Sequence, residues 1–410
     1  MEQVPERDWS QLPADLLVRV FGGLEVPELL SSAAVCGSWR SAYKLDRRLD
    51  ASPLFRGPCL VYSAADRAAD VATLHCLSDD KRHSVTLPGP PFRGRYLVGS
   101  SRGWLVTADE ESELFLVNPV TRAQIALPPV KTMKNVGLRF TRNKTLHSYV
   151  LYHLDLKAGC RNSNMYAQRE FYDPDEARFL LYNKVAISGD PSSGNCIVLI
   201  IHHFQNQLSC ARVGDVRWTW IHAEPYCCDY QDLFYNNDDG LFYALRGTGE
   251  LHTIDLSGPS PVVKIIFKEV VNYINNNKYV VRAPWGDLIQ VWREDDVINA
   301  GEWITNKLVV YKMDLVQQKV IELNDLRGYA LFLGFNTSFF LPASRFPMLK
   351  ANSIYHTDDN MEYMFGKKLS RRHIVAFSLD EKVFTDFLPS NSWLNWPPPI
   401  WILPSYECTG

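Results

Sequence analysis

Beyond residue 58 the sequence repeats itself at a spacing of about fifty residues, and that spacing restricts the possible folds more than any other feature. Units begin near residues 180, 229, 278 and 330. A glycine-led apolar run recurs at 103–106, 240–244 and 286–291. A second run follows each and ends on a turn residue, at 114–118, 251–255 and 308–314, and residues 374–380 repeat that ending. A third run returns at 124–127, 262–267, 320–323 and 383–387. The runs are rich in β-branched and aromatic residues and are broken by Gly, Asn, Asp and Pro. That texture predicts many short antiparallel strands.

A four-stranded sheet standing alone exposes both faces and both edges to water. Stacking such sheets radially buries the faces against neighbours, which is the logic of a β-propeller. A pair of packed sandwiches would not account for the period. The count is six blades, the first formed from about 59 to 87. Residues 131–178 are irregular and leave room for a seventh blade or a surface excursion. Trp104, Trp218, Trp220, Trp285 and Trp292 are expected between blades. Trp393, Trp396 and Trp401 are costly to leave in water, so the C-terminal segment is expected to close the ring.

The N-terminal stretch has a different period. Pro13 suits a first helical turn and Ser10 lies just upstream as a possible cap. Leu16, Leu17, Val20, Phe21 and Leu24 then recur at helical spacing until Gly22 and Gly23 intervene. Pro27 restarts a helix through Leu29, Leu30, Ala33 and Ala34, and a third carries Val35, Cys36, Trp39, Tyr43 and Leu45. Three helices this short cannot bury a self-sufficient core, so their apolar stripe requires a partner.

The pattern resembles the F-box. Leu12 and Pro13, Asp15 to Leu17, Val20 and Phe21, Leu24, Leu29 and Leu30, Val35 and Cys36, and Trp39 and Arg40 occupy its signature positions. The resemblance implies that Leu12, Pro13, Leu16, Leu17, Val20, Phe21, Leu24, Leu29, Leu30, Val35, Cys36, Trp39 and Arg40 meet the Skp adaptor of an SCF ubiquitin ligase. Through that adaptor, cullin and RING subunits become partners. One position departs: Gly37 stands where the family has a long basic residue, and a glycine inside a helix costs about 1 kcal/mol against alanine.

A second resemblance covers most of residues 57–405. The segment Gly-Arg-Tyr-Leu-Val-Gly-Ser-Ser-Arg-Gly-Trp-Leu at 94–105, Leu-Val-Asn-Pro-Val-Thr at 116–121 and Ile-Ala-Leu-Pro-Pro at 125–129 look like the KIB-type domain found after F-boxes in plant proteins. So do Ala-Arg-Val-Gly-Asp at 211–215 followed by Trp218, and Pro-Pro-Pro-Ile-Trp at 397–401. The expected organisation is therefore α+β and multidomain: an F-box at 9–47, a linker at 48–57, and a KIB-type β-propeller at 58–405.

Bulk properties exclude several classes. The 410 residues carry a net charge of −3, giving no whole-chain reason to expect nucleic acid or an anionic membrane as partner. The start is charged and lacks a secretory signal, and the most apolar run, 196–201, is far too short to span a bilayer. Nine cysteines form no C-x-x-C pair, which argues against a zinc ribbon and for a reducing compartment, cytoplasm or nucleus. Asn143 and Asn336 are then irrelevant as glycosylation acceptors.

The remaining candidates for chemistry are sparse. His202 and His203 beside Cys210 invite a metal, but adjacent strand residues point to opposite faces and cannot share an ion, and Cys227 with Cys228 fails likewise. Acidic clusters at 109–113, 238–239 and 294–296 lie at turns or between strands, not as a facing pair. Lys367, Lys368, Arg371, Arg372 and His373 form a basic patch, read as a solvated edge or an import signal. No phosphate loop, nucleophile elbow or metalloprotease motif is present. The reading is a non-catalytic receptor without metal or cofactor, whose propeller captures a protein target. The alternatives are a propeller enzyme acting on a small molecule, and an adaptor-bound scaffold without a role in degradation.

Overall fold

The computed structural model describes residues 8–24, 32, 35–49, 57–78, 80–154, 166–222, 228–268, 277–298, 302–360, 372–389 and 392–404. Among the described residues, two α-helices come first, α1 (Ala14–Gly22) and α2 (Gly37–Leu49). The expected helix after Pro27, with Leu29 and Leu30, lies outside the described residues, as do Cys227, Lys367, Lys368 and Arg371. Two local expectations are corrected. Pro13 is the N-cap of α1 rather than a first-turn residue, and Ser10 sits in a preceding 3-10 turn capped by Asp8, whose carboxylate accepts from the Ser10 amide. Gly37 is the first residue of α2, not an interior one, so the helix-interior penalty does not apply. The helix also runs two residues past the expected boundary, to Leu49.

Among the described residues, seven sheets follow. The first contains β1 (Cys59–Tyr62), β2 (Val71–Cys76) and β3 (Lys81–Thr86), and the second β4 (Tyr96–Ser101), β5 (Trp104–Ala108), β6 (Leu114–Val117) and β7 (Gln124–Ala126). An outboard sheet of three strands comes next: β8 (Val136–Phe140), β9 (Leu146–Leu154) and β10 (Tyr166–Tyr172), followed by α3 (Pro174–Leu181). The third sheet is β11 (Tyr182–Ile187), β12 (Ile197–His202), β13 (Gln207–Arg212) and β14 (Thr219–Ile221). The fourth is β15 (Tyr230–Asn236), β16 (Leu241–Arg246), β17 (Leu251–Asp255) and β18 (Val262–Phe267). The fifth is β19 (Asn277–Arg282), β20 (Leu288–Ile298), β21 (Glu302–Asp314) and β22 (Lys319–Leu323). The sixth is β23 (Tyr329–Leu333), β24 (Phe339–Pro342), β25 (Ser353–Thr357), β26 (Ile374–Ser378) and β27 (Val383–Asp386). Here β24 folds back onto β23, while β23 pairs in parallel with β25.

The last strand, β28 (Ile400–Ile402), returns to the first sheet. It pairs antiparallel with β1, placing Ile402 opposite Cys59, Trp401 opposite Leu60 and Ile400 opposite Val61. The ends of the repeat array are thus joined by main-chain hydrogen bonds, which removes the free edge that an open array would present.

Strand periodicity explains how the ring is held. Successive side chains point to opposite faces, and both faces are buried, so the strands read as unbroken apolar runs. Cys59 and Val61 pack toward Leu97 and Leu105 of the second sheet, whereas Leu60 and Tyr62 pack toward Ala330 and Phe332 of the sixth. Val198 and Ile200 join Val106 and Trp104 of the second sheet, while Leu199 and Ile201 join Leu233 and Phe242 of the fourth. Two further clusters link the fourth to the fifth sheet and the fifth to the sixth. The clusters therefore connect six sheets in a closed order. Strand β4 lies directly against β11, so the outboard sheet stands outside this ring. Its Val136, Tyr149 and Leu151 cover the outer seam between the second and third sheets.

Trp104 and Trp218 lie in that seam and Trp285 at the fifth–sixth seam, as expected. Trp292 instead packs on Tyr311 of its own sheet, with ring centroids 4.6 Å apart, and Trp220 stands against His222. The helices touch the propeller through Val120, in the β6–β7 turn. The Asn118 side chain accepts from the Val120 and Thr121 amides and holds that turn in shape.

Candidate functional site

Helix α1 carries two apolar rows one position apart. Leu17 and Phe21 face α2 and are buried with Ala42 and Tyr43. The Phe21 ring meets Trp39 edge-on at 5.8 Å, and the Trp39 indole donates to the Trp9 carbonyl at 2.9 Å. Leu16 and Val20 form the other row, and they are 43% and 47% exposed. A four-residue spacing keeps each row on one line along the helix, so one set of residues holds the fold and its neighbour is left for contact. Of the expected adaptor residues, Pro13, Leu16, Val20, Val35 and Arg40 are exposed. Leu12, Leu24, Cys36 and Trp39 are half-buried, and Leu17 and Phe21 are wholly committed to the helical core.

The propeller axis is filled by its own chain. Residues 334–338, between β23 and β24, cross it: the Thr337 amide donates to the Ser100 carbonyl at 2.8 Å, and the Lys184 ammonium donates to the Gly334 carbonyl. Gly334 has φ +143, and a Cβ there would collide with Thr357. Gly99 is equally confined, since a Cβ would stand 2.6 Å from Val185 Cγ1. Lys184 Nζ lies 3.2 Å from Asp232 Oδ1, both buried. Burial pushes the Asp232 carboxyl above its ordinary range, against the pull of Lys184.

Around this plug lies an ionic cluster that the sequence reading missed. Arg293 on β20 is wholly buried, donating to Tyr279 Oη at 2.7 Å and lying 2.9 Å from Asp295 Oδ2. It also contacts Asp359 and His356 Nε2. Burial alone would raise the Asp359 carboxyl, but the Arg293 guanidinium overcomes it and holds that group well below the usual carboxylate range. The cluster ties the fifth sheet to the sixth. A single arginine within a polar-ended strand gave no spacing signal by which to find it.

The sequence-level candidates for chemistry have structural partners. Asp109 accepts from the Glu111 and Glu113 amides, and Glu113 accepts from the Val130 amide at 3.0 Å. Asp239 accepts from the Tyr243 hydroxyl at 2.6 Å, and Glu294 pairs with Lys307 at 3.1 Å. His202 and His203 are buried, and burial pushes both imidazoles down to about 3. Among the described residues no group of three His, Cys, Asp or Glu is placed to hold a metal ion, and no helix is long and apolar enough to cross a membrane. Arg372 departs from the expected solvated patch: it is buried and donates to the Asp358 carbonyl at 2.8 Å.

The model of the KIB1-4 beta-propeller family matches residues 74–378, well over half of the chain. The chain belongs to the KIB1-4 β-propeller family. An F-box-like model matches residues 9–52, a span that includes α1 with its exposed Leu16 and Val20. Among curated relatives, the F-box protein SKIP23 of Arabidopsis thaliana is 25% identical over 413 residues, covering 96% of this chain and 95% of that protein. F-box only protein 7 of the same plant is 25% identical over 280 residues, 68% of this chain and 64% of that protein. Among solved structures, TolB from Acinetobacter baumannii aligns with 90% of this chain and 73% of its own at 10% identity and a TM-score of 0.38. An F-box followed by a KIB1-4 propeller implies, in general terms, a substrate receptor of an SCF ubiquitin ligase.

Proposed function

We propose that this chain is the substrate-recognition subunit of an SCF-type ubiquitin ligase. Its helices would hold the Skp adaptor, and through it cullin and RING subunits, while its propeller captures a protein target in the cytoplasm or nucleus. In this reading the chain makes and breaks no bonds. It raises the effective concentration of a target lysine near the ubiquitin-charged E2. The observation that carries the proposal is the F-box-like match over a segment whose Leu16, Val20 and Val35 are exposed although apolar. Such side chains gain by meeting a partner.

The division of α1 into two rows supplies the test. Replacing Leu16 and Val20 together by Ala removes five carbons from the exposed row and none from the helical core. The expected result is adaptor binding weakened by about 2 kcal/mol or more, roughly thirtyfold, with the melting curve unchanged. Leu17→Ala should do the reverse in origin, lowering helical stability by about 2–4 kcal/mol and binding only as a consequence. Co-precipitation of the Skp adaptor at wild-type strength by the Leu16→Ala, Val20→Ala protein would refute the assignment.

A further inference from the structure

The outboard sheet presents one face that the ring does not use. Register places Phe171 and Gly137 on either side of Val150, with Arg169 beside Tyr152 in the row to one side and Arg139 beside Ser148 in the row to the other. Side chains of one face share this parity, and the ring contacts confirm it. Arg139 and Arg169 both reach the Phe171 ring, their guanidinium carbons 5.5 and 5.6 Å from its centroid. Tyr152 leans over Gly137, where an added Cβ would come within 2.9 Å of the ring. Phe171 itself is 47% exposed.

Two exposed guanidinium groups converge on one ring, where a carboxylate would be attracted by both. Among the described residues none is supplied: neither Arg139 nor Arg169 makes an ion pair, and the adjoining β8–β9 turn adds Arg142 and Lys144, also without one. The single carboxylate on the described part of the sheet, Glu170, alternates to the opposite side, where it bonds His153 at 2.9 Å and Tyr172. The sheet is fixed in place, because the Tyr149 hydroxyl donates to the Glu111 carbonyl at 2.6 Å and Asn135 bonds Gln207 of the third sheet.

We infer that this face is a docking surface for an acidic, aromatic- or leucine-containing segment of a protein target. A carboxylate of the segment would sit between Arg139 and Arg169 at the edge of Phe171. Its apolar neighbour would lie on Phe171 and Tyr152. Arginine and aromatic groups together are the residue types that dominate binding energy at protein interfaces, and the positive charge would speed encounter with an acidic partner. The inference rests on the receptor reading given above and specifies where the target is held and by what chemistry.

The full-length chain can be tested with a fluorescein-labelled peptide of alternating Glu and Leu or Tyr. Controls are its Gln-for-Glu counterpart and an oligouridine of similar length. The acidic peptide is expected to bind with an affinity that falls as salt is added, and about tenfold more tightly than its neutral counterpart. Arg139→Gln with Arg169→Gln should remove that preference, and Phe171→Ala should weaken the acidic peptide about tenfold. All three positions are exposed, and an unchanged circular dichroism spectrum confirms folding. Equal binding of both peptides, or full binding by the double variant, would overturn the inference. Tighter binding of the oligouridine, lost in the same variants, would also overturn it by reassigning the face to nucleic acid. Failure of the receptor reading shows separately, as absent adaptor binding by the unmodified chain.

Discussion

Two adjacent histidines show how much a single burial decision can govern. His202 lies on β12 with its Nε2 2.8 Å from the Ser209 hydroxyl, and His203 follows with φ +66, its ring against Phe204. The positive φ of His203 means that the strand alternation expected from sequence ends at His202. Both remain neutral in the folded chain down to about 3, because burial disfavours the charged imidazole. The unfolded chain takes up these protons near the ordinary value of 6.5. Stability from each group is therefore complete above 6.5 and lost as the pH falls toward 3. The slope is up to about 1.4 kcal/mol per pH unit for each ring. His202→Gln, which retains a partner for Ser209, should flatten the decline in melting temperature measured between neutral and acid pH; an unchanged slope would show that other groups set it. At this scale sequence legibility was mixed. Helical spacing identified the apolar stripe of α1, but could not say that Leu17 and Phe21 would be spent on Ala42 and Tyr43 while Leu16 and Val20 stayed free. That sorting depends on which side α2 packs, a tertiary fact absent from local periodicity.

The elements that repeat were the elements that could be read. Strands β11, β15, β19 and β23 begin within a few residues of the unit starts, because each blade must supply the same two buried faces. The outboard sheet has no counterpart in other blades and exposes one face, so its pattern carried neither period nor continuous hydrophobicity. The closing strand was legible for a different reason, its tryptophan. Trp401 is buried, with ring centroids 5.1 Å from Phe332 of the sixth sheet and 5.5 Å from Phe387, just after that sheet's last strand, while its backbone pairs with the first. One side chain therefore bonds the last blade to the strand that completes the first. Trp401→Ala should cost about 3–5 kcal/mol, the range for truncating a buried large aromatic. Ending the chain after Pro389 should do more, exposing the β1 edge together with Leu60 and Tyr62. Chemical denaturation and light scattering distinguish the two expected outcomes, a shifted midpoint for the substitution and aggregation for the truncation. A truncated chain that melts like the full one would make the C-terminal segment an appendage.

At the scale of the whole molecule, the helices and the ring are nearly independent cores. The helical cluster is built from Leu17, Phe21, Ala42 and Tyr43, and the propeller reaches it through Val120 alone among the cluster's described members. Removing the helices therefore uncovers little apolar surface on the ring, and a fragment of residues 57–410 should fold with a melting curve close to that of the propeller in the full chain. If the proposed receptor function holds, such a fragment retains the Arg139, Arg169 and Phe171 face but lacks Leu16 and Val20. It should bind target, fail to recruit the adaptor, and shield the target by occupying it. In cells the expected consequence is a longer target half-life than with an empty vector. Restoring the helices while carrying Leu16→Ala and Val20→Ala should give the same protection, since capture without recruitment is common to both. A chain whose work was small-molecule chemistry would instead turn over its substrate with no adaptor present, and neither change would alter the half-life of any bound protein. Faster loss of the target with the 57–410 fragment than with the empty vector would contradict the receptor model, because a chain that cannot reach the ligase cannot deliver a target to it.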